Sequence, residues 1–286
     1  ITCRDWSSDV CSSDLDVVLP VLHGTFGEDG TVQGLLACAG LPYVGCDVYG
    51  SAIGMDKAFA KIIWQHAGLP VVPFLEIRSA ELDDETMRKL VDSIEDSFRF
   101  PVIVKPCRAG SSVGIKKAEN AVELGEALRH AALFDGKLLV EPFLKVREIE
   151  CSVIGNLSAT SFPPGEIKSS HEFYDYEAKY IDPDGAALYI PADLPEENRK
   201  YVQDLAEKAY RSADCRGLAR VDFFIDTKTN KILLNEINTM PGFTNISMFP
   251  KLCEHGGLPY RKLLETEIEL ALEKHRQAEA LSFKRK

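Results

Sequence analysis

A chain of α/β and α+β lobes is what this sequence predicts, and three observations predict it. Strand, loop, helix and short strand follow one another from Asp16 to Val48 (DVVLPVL, HGTFGEDG, TVQGLLACAG, LPYVGCDV), the succession of a doubly wound unit. The β-branched run FRFPVIVKP stands between stretches whose apolar residues recur at helical spacing. Further on, LARVDFFID and KILLNEIN are two strand patterns around TKTN, a hairpin.

Taken in order, Ile1 to Leu15 shows neither helical nor strand period, and its repeated Ser-Ser-Asp favours local side-chain-to-backbone bonds. It reads as a non-native or disordered segment, resembling a translated sequencing adapter, ahead of a strand from Asp16 to Leu22 patterned for burial on both faces. Asp56 to Ala67 is expected to be a helix with Phe59, Ile62 and Ile63 inward and Gly68 as its stop. Met87, Leu90, Val91 and Ile94 mark a second helix. Asn120 and Glu123 open a third with a capping-box pattern. KLLVEPF and REIECSVIG are strands, the second alternating in and out. These boundaries divide the chain into residues 16–48, the remnant of an N-terminal α/β domain; 49–141, a central lobe; and 142–286, a C-terminal lobe. From Pro163 to Pro195 no clean period appears, and the aromatic string HEFYDYEAKY within it predicts a lid. Val202, Leu205, Ala206 and Ala209 define one more helix face. Leu264, Ile268 and Leu272 are expected to anchor the last helix.

Composition narrows the function. Of 286 residues, 45% are apolar and 27% charged, an ordinary globular balance. Lys+Arg 33 against Asp+Glu 44 leaves a net charge of -11, which disfavours a broad nucleic-acid surface but allows a local basic pocket. No apolar run approaches the roughly 20 residues that span a bilayer, so no membrane insertion is expected. Eight cysteines without a C-x-x-C pair read as buried thiols of a cytoplasmic protein.

The sharpest chemistry lies on the hairpin. Glu236 and Asn238 are two apart and share a strand face, and a turn between Thr227 and Asn230 sets Asp222 nearly opposite Glu236. Two carboxylates and an amide oxygen, with no sequence-adjacent cation, suit Mg²⁺ or Mn²⁺ completed by substrate phosphates. CRAGSSVG (Cys107 to Gly114) follows a strand and can bring backbone N–H groups to an anion, with Lys105 just upstream. Alone it reads by default as an ordinary hairpin turn, and Lys105 is what favours an anion site. Lys57, at a helix start, sits awkwardly against the macrodipole unless an anion is near. His23, beyond the carboxyl end of the first strand, lies where open α/β sheets place ligands.

PVLHGTFGEDGTVQGLL, KPCRAGSSVG, FYDYEAKY, GLARVDFF and LNEINTMPGFTNISMFPKL closely resemble the D-alanine–D-alanine ligases of the ATP-grasp superfamily, in that family's order and spacing from about Asp16 to about Leu272. The resemblance implies an ATP-grasp fold in which two α+β lobes clasp ATP, preceded by a doubly wound domain. It implies ATP-driven joining of two D-alanines through an acyl phosphate, for peptidoglycan, and is compatible with a homodimer. Asp222, Glu236 and Asn238 then match the ligands of two Mg²⁺ (or Mn²⁺) ions. Lys57 and Lys105 match phosphate-binding lysines, and Ser111 the loop closing over the reacting centre. Glu141, Pro142, Phe143 and Leu144 match the hinge that reads adenine, with Glu148 on the ribose. Pro142 replaces an often-expected lysine, keeping the C=O but losing a side-chain contact. Arg220 and the backbone of Gly242 match the oxyanion-stabilising groups. His23, Glu28, Ser247 and Met248 match the amino-acid sites, and Lys179 and Tyr180 the lid.

The family's opening glycine-rich segment, with a glutamate for the first D-alanine's ammonium, has no counterpart in this sequence, so a catalytically impaired nucleotide-binding remnant is one rival reading. The other is a D-alanine–D-lactate ligase, which Tyr180 argues against.

Overall fold

The computed structural model describes residues 15–169, 186–244 and 246–281. Two antiparallel sheets organise it. The smaller holds β1 (Leu75–Arg78), β2 (Val102–Pro106), β3 (Lys116–Ala118) and β4 (Lys137–Pro142) in the order β1-β4-β2-β3. One face is covered by α4 (Asp84–Ser97) and α5 (Ala121–Ala131), where Val102, Val104, Leu138 and Val140 meet Leu90, Ile94, Leu124 and Leu128. Each such fully buried aliphatic contributes roughly 2 kcal/mol. The predicted cap on α5 forms: Asn120 Oδ1 accepts from the N–H groups of Val122 and Glu123 at 3.0 and 3.1 Å. Alternation turns Lys105, Leu139 and Glu141 to the opposite face.

The larger sheet contains β5 (Val146–Gly155), β6 (Ala159–Ser161), β7 (Gly165–Ser169), β8 (Ala186–Tyr189), β9 (Gly217–Asp226) and β10 (Ile232–Asn238). Its order is β10-β9-β5-β7-β8, with β6 also on β5. Ile149, Cys151, Val153, Val221 and Phe223 on one face pack against α6 (Glu196–Ser212) through Val202, Leu205, Ala206 and Ala209, the face predicted for that helix. On the other face, Ile154 and Leu218 meet α7 (Met248–His255) and α8 (Tyr260–Glu279). Further along that face, from Ser152 to Glu148 and from Arg220 to Asp222, side chains turn polar.

α1 (Thr31–Cys38), α2 (Val48–Met55) and α3 (Lys57–His66) come before the smaller sheet. α2 and α3 nevertheless pack on β10, and Trp64 Nε1 of α3 donates to Ala209 O of α6 at 3.1 Å. α3, assigned from the sequence to the central lobe, thus packs on the larger sheet and also reaches β4 of the smaller one through Asp56 and Lys61. Pro70 to Val72 run beside β10, Leu234 exchanging bonds with Pro70 O and Val72 N, and so cover its edge.

Other expectations change as well. The strand foreseen from Asp16 to Leu22 is reduced, among the described residues, to one parallel bridge between Val18 and Tyr43, and Leu19, Val21 and Leu22 are exposed. A ladder needs neighbours, and only Tyr43 supplies one. In α3 the buried side is Ala58, Ala60, Lys61 and Trp64, while Phe59 and Ile62 face outward. The stretch from Pro163 to Pro195 begins and ends in paired strands, β7 with β8. Residues 1–14 and the proposed lid, with Lys179 and Tyr180, lie outside the described residues. Six described cysteines are free thiols, all buried but Cys38. No described helix is long and apolar enough to cross a membrane.

The last helix is also rotated. Its buried stripe is Leu263, Glu267 and Ala271 rather than Leu264, Ile268 and Leu272. Leu264 and Ile268 instead line a cavity of about 150 Å³ with Val17, Leu19 and Val44. Neither oxygen of the Glu267 carboxylate has a hydrogen-bond partner, and burial pushes its pKa up to about 8, Cys46 adding to the rise and Lys274 opposing it. The folded state thus holds a proton that the unfolded chain gives up above pH 4.5, so this group costs stability progressively as pH rises from 4.5 to about 8. Glu267→Leu should raise the unfolding temperature more at pH 8 than at pH 5.5, the difference corresponding to a few kcal/mol. Equal shifts at both pH values would refute the assignment.

Candidate active site

The hairpin forms as the pattern predicted, and its register builds the site. Asp222 on β9 faces Glu236 on β10, and Arg220 faces Asn238. On the other side of β9, β5 places Glu150 beside Asp222 and Glu148 beside Phe224. Glu150, Asp222 and Glu236 therefore form a row across three neighbouring strands. A register shift between Leu234 and Glu236 makes this possible. Leu234 is buried in the core, and in strict alternation Glu236 would follow it there. The irregularity at Asn235 re-aims Glu236 to the polar face, with Asn238 beside it and Ile237 inward.

Cations enter the row from two directions. Arg220, two residues before Asp222 on the same face, donates to both its oxygens at 2.7 Å, and its Nε lies 3.1 Å from Glu150. Burial alone would lower the guanidinium pKa; Asp222 and Glu150 carry it well above its ordinary value. Lys57 arrives from the first turn of α3. Its Nζ donates to Ala109 O at 2.9 Å and lies 3.2 Å from Glu236. Burial would lower its pKa too, and Glu236 more than offsets this. The carboxylates foreseen without a nearby cation are thus paired.

The smaller sheet adds its own cluster. Glu141 stands between Lys105 at 2.6 Å and Lys61 at 2.9 Å. Burial would raise the Glu141 pKa, but Lys105 and then Lys61 hold it below the usual carboxylate range. Lys105 also lies over the Phe224 ring, so it bridges the sheets. Asp56 caps α3 by accepting from Ala58 and Phe59, and its carboxylate is clasped by buried Lys137 of β4 at 2.8 and 3.0 Å. Lys137 Nζ lies over the Phe59 ring as well. This ion pair fixes where Lys57 begins.

A cleft of about 40 Å³ gathers Glu28, Lys57, Ser111, Glu236 and Asn238, five of the residues singled out from sequence. Ser111 and its neighbour Ser112 have φ of 52° and 59°, the left-handed conformation that non-glycine residues seldom hold outside such loops. Glu28 accepts from Gly24 N at 2.6 Å, and burial raises its pKa despite that bond. His23 Nδ1 lies 3.0 Å from Met240 O; a carbonyl only accepts, so Nδ1 carries the proton. Gly242 lies against Ser247, whose Oγ would stand 2.6 Å from an added Cβ. Met248 departs from expectation: its side chain is buried in the core beneath Gly165. β4 ends in Pro142, and Phe143 N donates to Pro101 O at 3.0 Å.

Glu150, Lys61 and the Asp56–Lys137 pair were missed in the sequence. The alternation of Glu148 and Glu150 in REIEC could have flagged the first, since charges at every second strand position share a face.

The donor set fits a divalent cation bound with phosphates. No three His, Cys, Asp or Glu side chains converge as a cage among the described residues. Two carboxylates and an amide do meet, which is what Mg²⁺ requires when phosphates and water complete its octahedron.

Comparison with known proteins gives the same answer. The family described as "D-ala D-ala ligase C-terminus" matches residues 63–269, and "D-ala D-ala ligase N-terminus" matches residues 3–46. A D-alanine–D-alanine ligase of Treponema denticola is 53% identical over 260 residues, covering 91% of this chain and 71% of that protein. The structure of the Coxiella burnetii D-alanine–D-alanine ligase is 39% identical with a TM-score of 0.79, covering 92% of this chain and 70% of its own. The VanG D-Ala:D-Ser ligase of Enterococcus faecalis is 36% identical with a TM-score of 0.80, covering 90% and 73%.

Asp56→Asn keeps the capping oxygen but removes the charge opposite Lys137. It should cost about 3 kcal/mol of stability, because a buried cation loses its partner, although Glu76 stays near. Adding Lys137→Met should recover most of that loss in urea unfolding. A double variant no more stable than the single one would show that the pair does not carry the effect.

Proposed function

The chain belongs to the D-alanine–D-alanine ligase family, and from that premise we propose that it condenses two D-alanines at the expense of ATP, yielding the dipeptide used in peptidoglycan. The observation that carries the reading is the Asp222–Glu236–Asn238 face with Lys57 held against it, beside the lysine pair of the smaller sheet. A carboxylate does not acylate an amine at neutral pH until its oxygen becomes a leaving group. Transfer of the γ-phosphoryl of ATP to the first D-alanine gives an acyl phosphate, and the amine of the second then displaces phosphate.

Each role follows from chemistry and position. Lys57, which lines the cleft, and Lys105, held by Glu141 on the smaller sheet, are suited to the phosphates. The hinge from Glu141 through Pro142 and Phe143 to Leu144 is assigned to adenine, and Glu148, on the same polar face, to the ribose. Two Mg²⁺ or Mn²⁺ ions held by Asp222, Glu236 and Asn238 would supply positive charge to the transferring phosphoryl group. Ser111 belongs to a loop whose left-handed residues turn backbone N–H groups toward an anion. Arg220, kept cationic by two carboxylates, and the Gly242 N–H are assigned to the oxyanion formed when the amine attacks, a role worth several kcal/mol where it is preorganised. His23 and Glu28 are assigned to the first amino acid and Ser247 to the second, with Met248 supporting that site from the core. Lys179 and Tyr180 are proposed as lid residues that exclude water from the acyl phosphate. Dependence on ATP is the argument for action in the cytoplasm.

Phosphate release on mixing with ATP, Mg²⁺ and D-alanine, with D-alanyl-D-alanine identified by mass, tests the reading; no dipeptide would overturn it, and a depsipeptide formed from added D-lactate in preference would change the acceptor. Glu236→Gln should lower turnover by at least about 100-fold while the chain still folds, since the missing charge weakens cation retention. Unchanged phosphate release in that variant would refute the metal assignment.

A further inference from the structure

Glu150 has no task in the roles just assigned, yet it is built into the site. It is 6% exposed and stands in register beside Asp222. On its other flank β7 presents Gly165, and Met248 Sδ and Leu252 Cδ2 fill the space behind that glycine, 2.8 and 2.9 Å from where a Cβ would lie. The neighbouring cation is Arg220, whose Nε is 3.1 Å from Glu150 Oε2. The guanidinium, however, directs its donors to Asp222, Nε to Oδ1 and a terminal nitrogen to Oδ2, both at 2.7 Å. Asn238 Nδ2 donates to the same Oδ2 at 2.9 Å.

An aspartate whose oxygens already accept three hydrogen bonds, two of them from a cation, is poorly disposed toward a second cation. Binding a divalent ion there requires Arg220 to loosen its hold, and a buried guanidinium deprived of its carboxylate is costly. Resting on the ligase reading, we propose that Glu150 is a positioning residue that takes over Arg220 when Asp222 turns to the divalent cation. Only a small shift of the guanidinium is needed, because Glu150 already lies at ion-pair distance. Arg220 then stays charged and aimed at the oxyanion position, and Asp222 is released at reduced cost. Glu150 acts through Arg220 and touches neither substrate.

The test measures Mn²⁺ affinity by the electron paramagnetic resonance of unbound Mn²⁺, with a non-hydrolysable ATP analogue present and no turnover. Glu150→Gln should weaken Mn²⁺ binding about tenfold when Arg220 is present and less than about twofold in the Arg220→Met background, a coupling expected of groups in direct contact. Glu150→Asp, which keeps the charge, should restore part of the loss and serves if the Gln variant folds poorly. An equal tenfold loss in both backgrounds would mean that Glu150 contributes only its charge, and would overturn the exchange while leaving the metal site intact. No effect in either background would overturn it equally. Absence of Mn²⁺ binding by the unaltered chain would instead bring down the metal reading on which the exchange rests.

Discussion

Carboxylates aligned across adjacent strands repel one another, and the row formed by Glu150, Asp222 and Glu236 exists only because cations are threaded into it. Arg220 comes from within the sheet and Lys57 from outside it. That second supply places a demand on the whole fold. A lysine brought to the face of β10 must be the opening residue of a helix packed on that strand, and α3 meets this by turning Ala58, Ala60 and Trp64 inward. A cation at a helix start opposes the macrodipole. Asp56, immediately before it, compensates by capping the helix with a carboxylate.

From Asp56 the chain of charges continues into the other sheet. Lys137 of β4 clasps it, and four residues along the same strand Glu141 faces Lys61 of α3 and Lys105 of β2. Opposite charges thus alternate across the junction of the two sheets. Buried pairs of this kind add little net stability, because desolvation consumes most of the Coulombic gain. Their geometric effect is larger: a displaced smaller sheet would leave several buried charges without partners at once. Most of the hydrophobic core lies within one sheet or the other, a small cluster of Ala58, Cys107 and Leu139 joins α3 to the smaller sheet, and the ion pairs add to how one sheet faces the other.

Periodicity and residue chemistry made much of this legible. The hairpin, the α5 cap and the buried face of α6 depend on local pattern, and they form as the pattern indicates. Asp222 and Glu236 could be set opposite each other by counting from the turn. What stayed hidden depends on tertiary distance. Counting apolar residues in α3 puts Phe59 and Ile62 inward, but it cannot register that Lys61 is drawn to the buried side by Glu141 of the other sheet. In α8 the same counting favours Leu264 and Ile268 over the stripe that carries Glu267, since no pattern rule buries a glutamate. The irregularity at Asn235 is invisible for a different reason: alternation within Glu236–Asn238 is intact, and only its phase relative to Leu234 is changed. The pairing of Arg220 with Asp222 was not foreseen because sequence adjacency was taken as the measure, whereas on a strand the nearest neighbour on the same face is two residues away.

The pairing of every cation with an acid also bears on how a nucleotide site survives without its nucleotide. Such a site must be positive enough to hold phosphates and divalent ions together, yet positive charge massed in a low-dielectric cleft would repel itself whenever the ligand is absent. Holding Lys57 against Glu236, Lys105 against Glu141 and Arg220 against Asp222 resolves this by internal neutralisation. The acids involved have second uses, as proposed cation ligands and as a hinge group, so ligand binding exchanges partners instead of creating charge. Such exchange is smooth only where a displaced group finds another partner nearby. On the roles proposed above, Lys61 would remain for Glu141 if Lys105 turned to phosphate, and Glu150 for Arg220 if Asp222 turned to the metal. Lys61 and Glu150, two of the charged residues that the sequence did not disclose, therefore occupy equivalent places in this proposed exchange: neither need touch a ligand, and each keeps a displaced partner in balance.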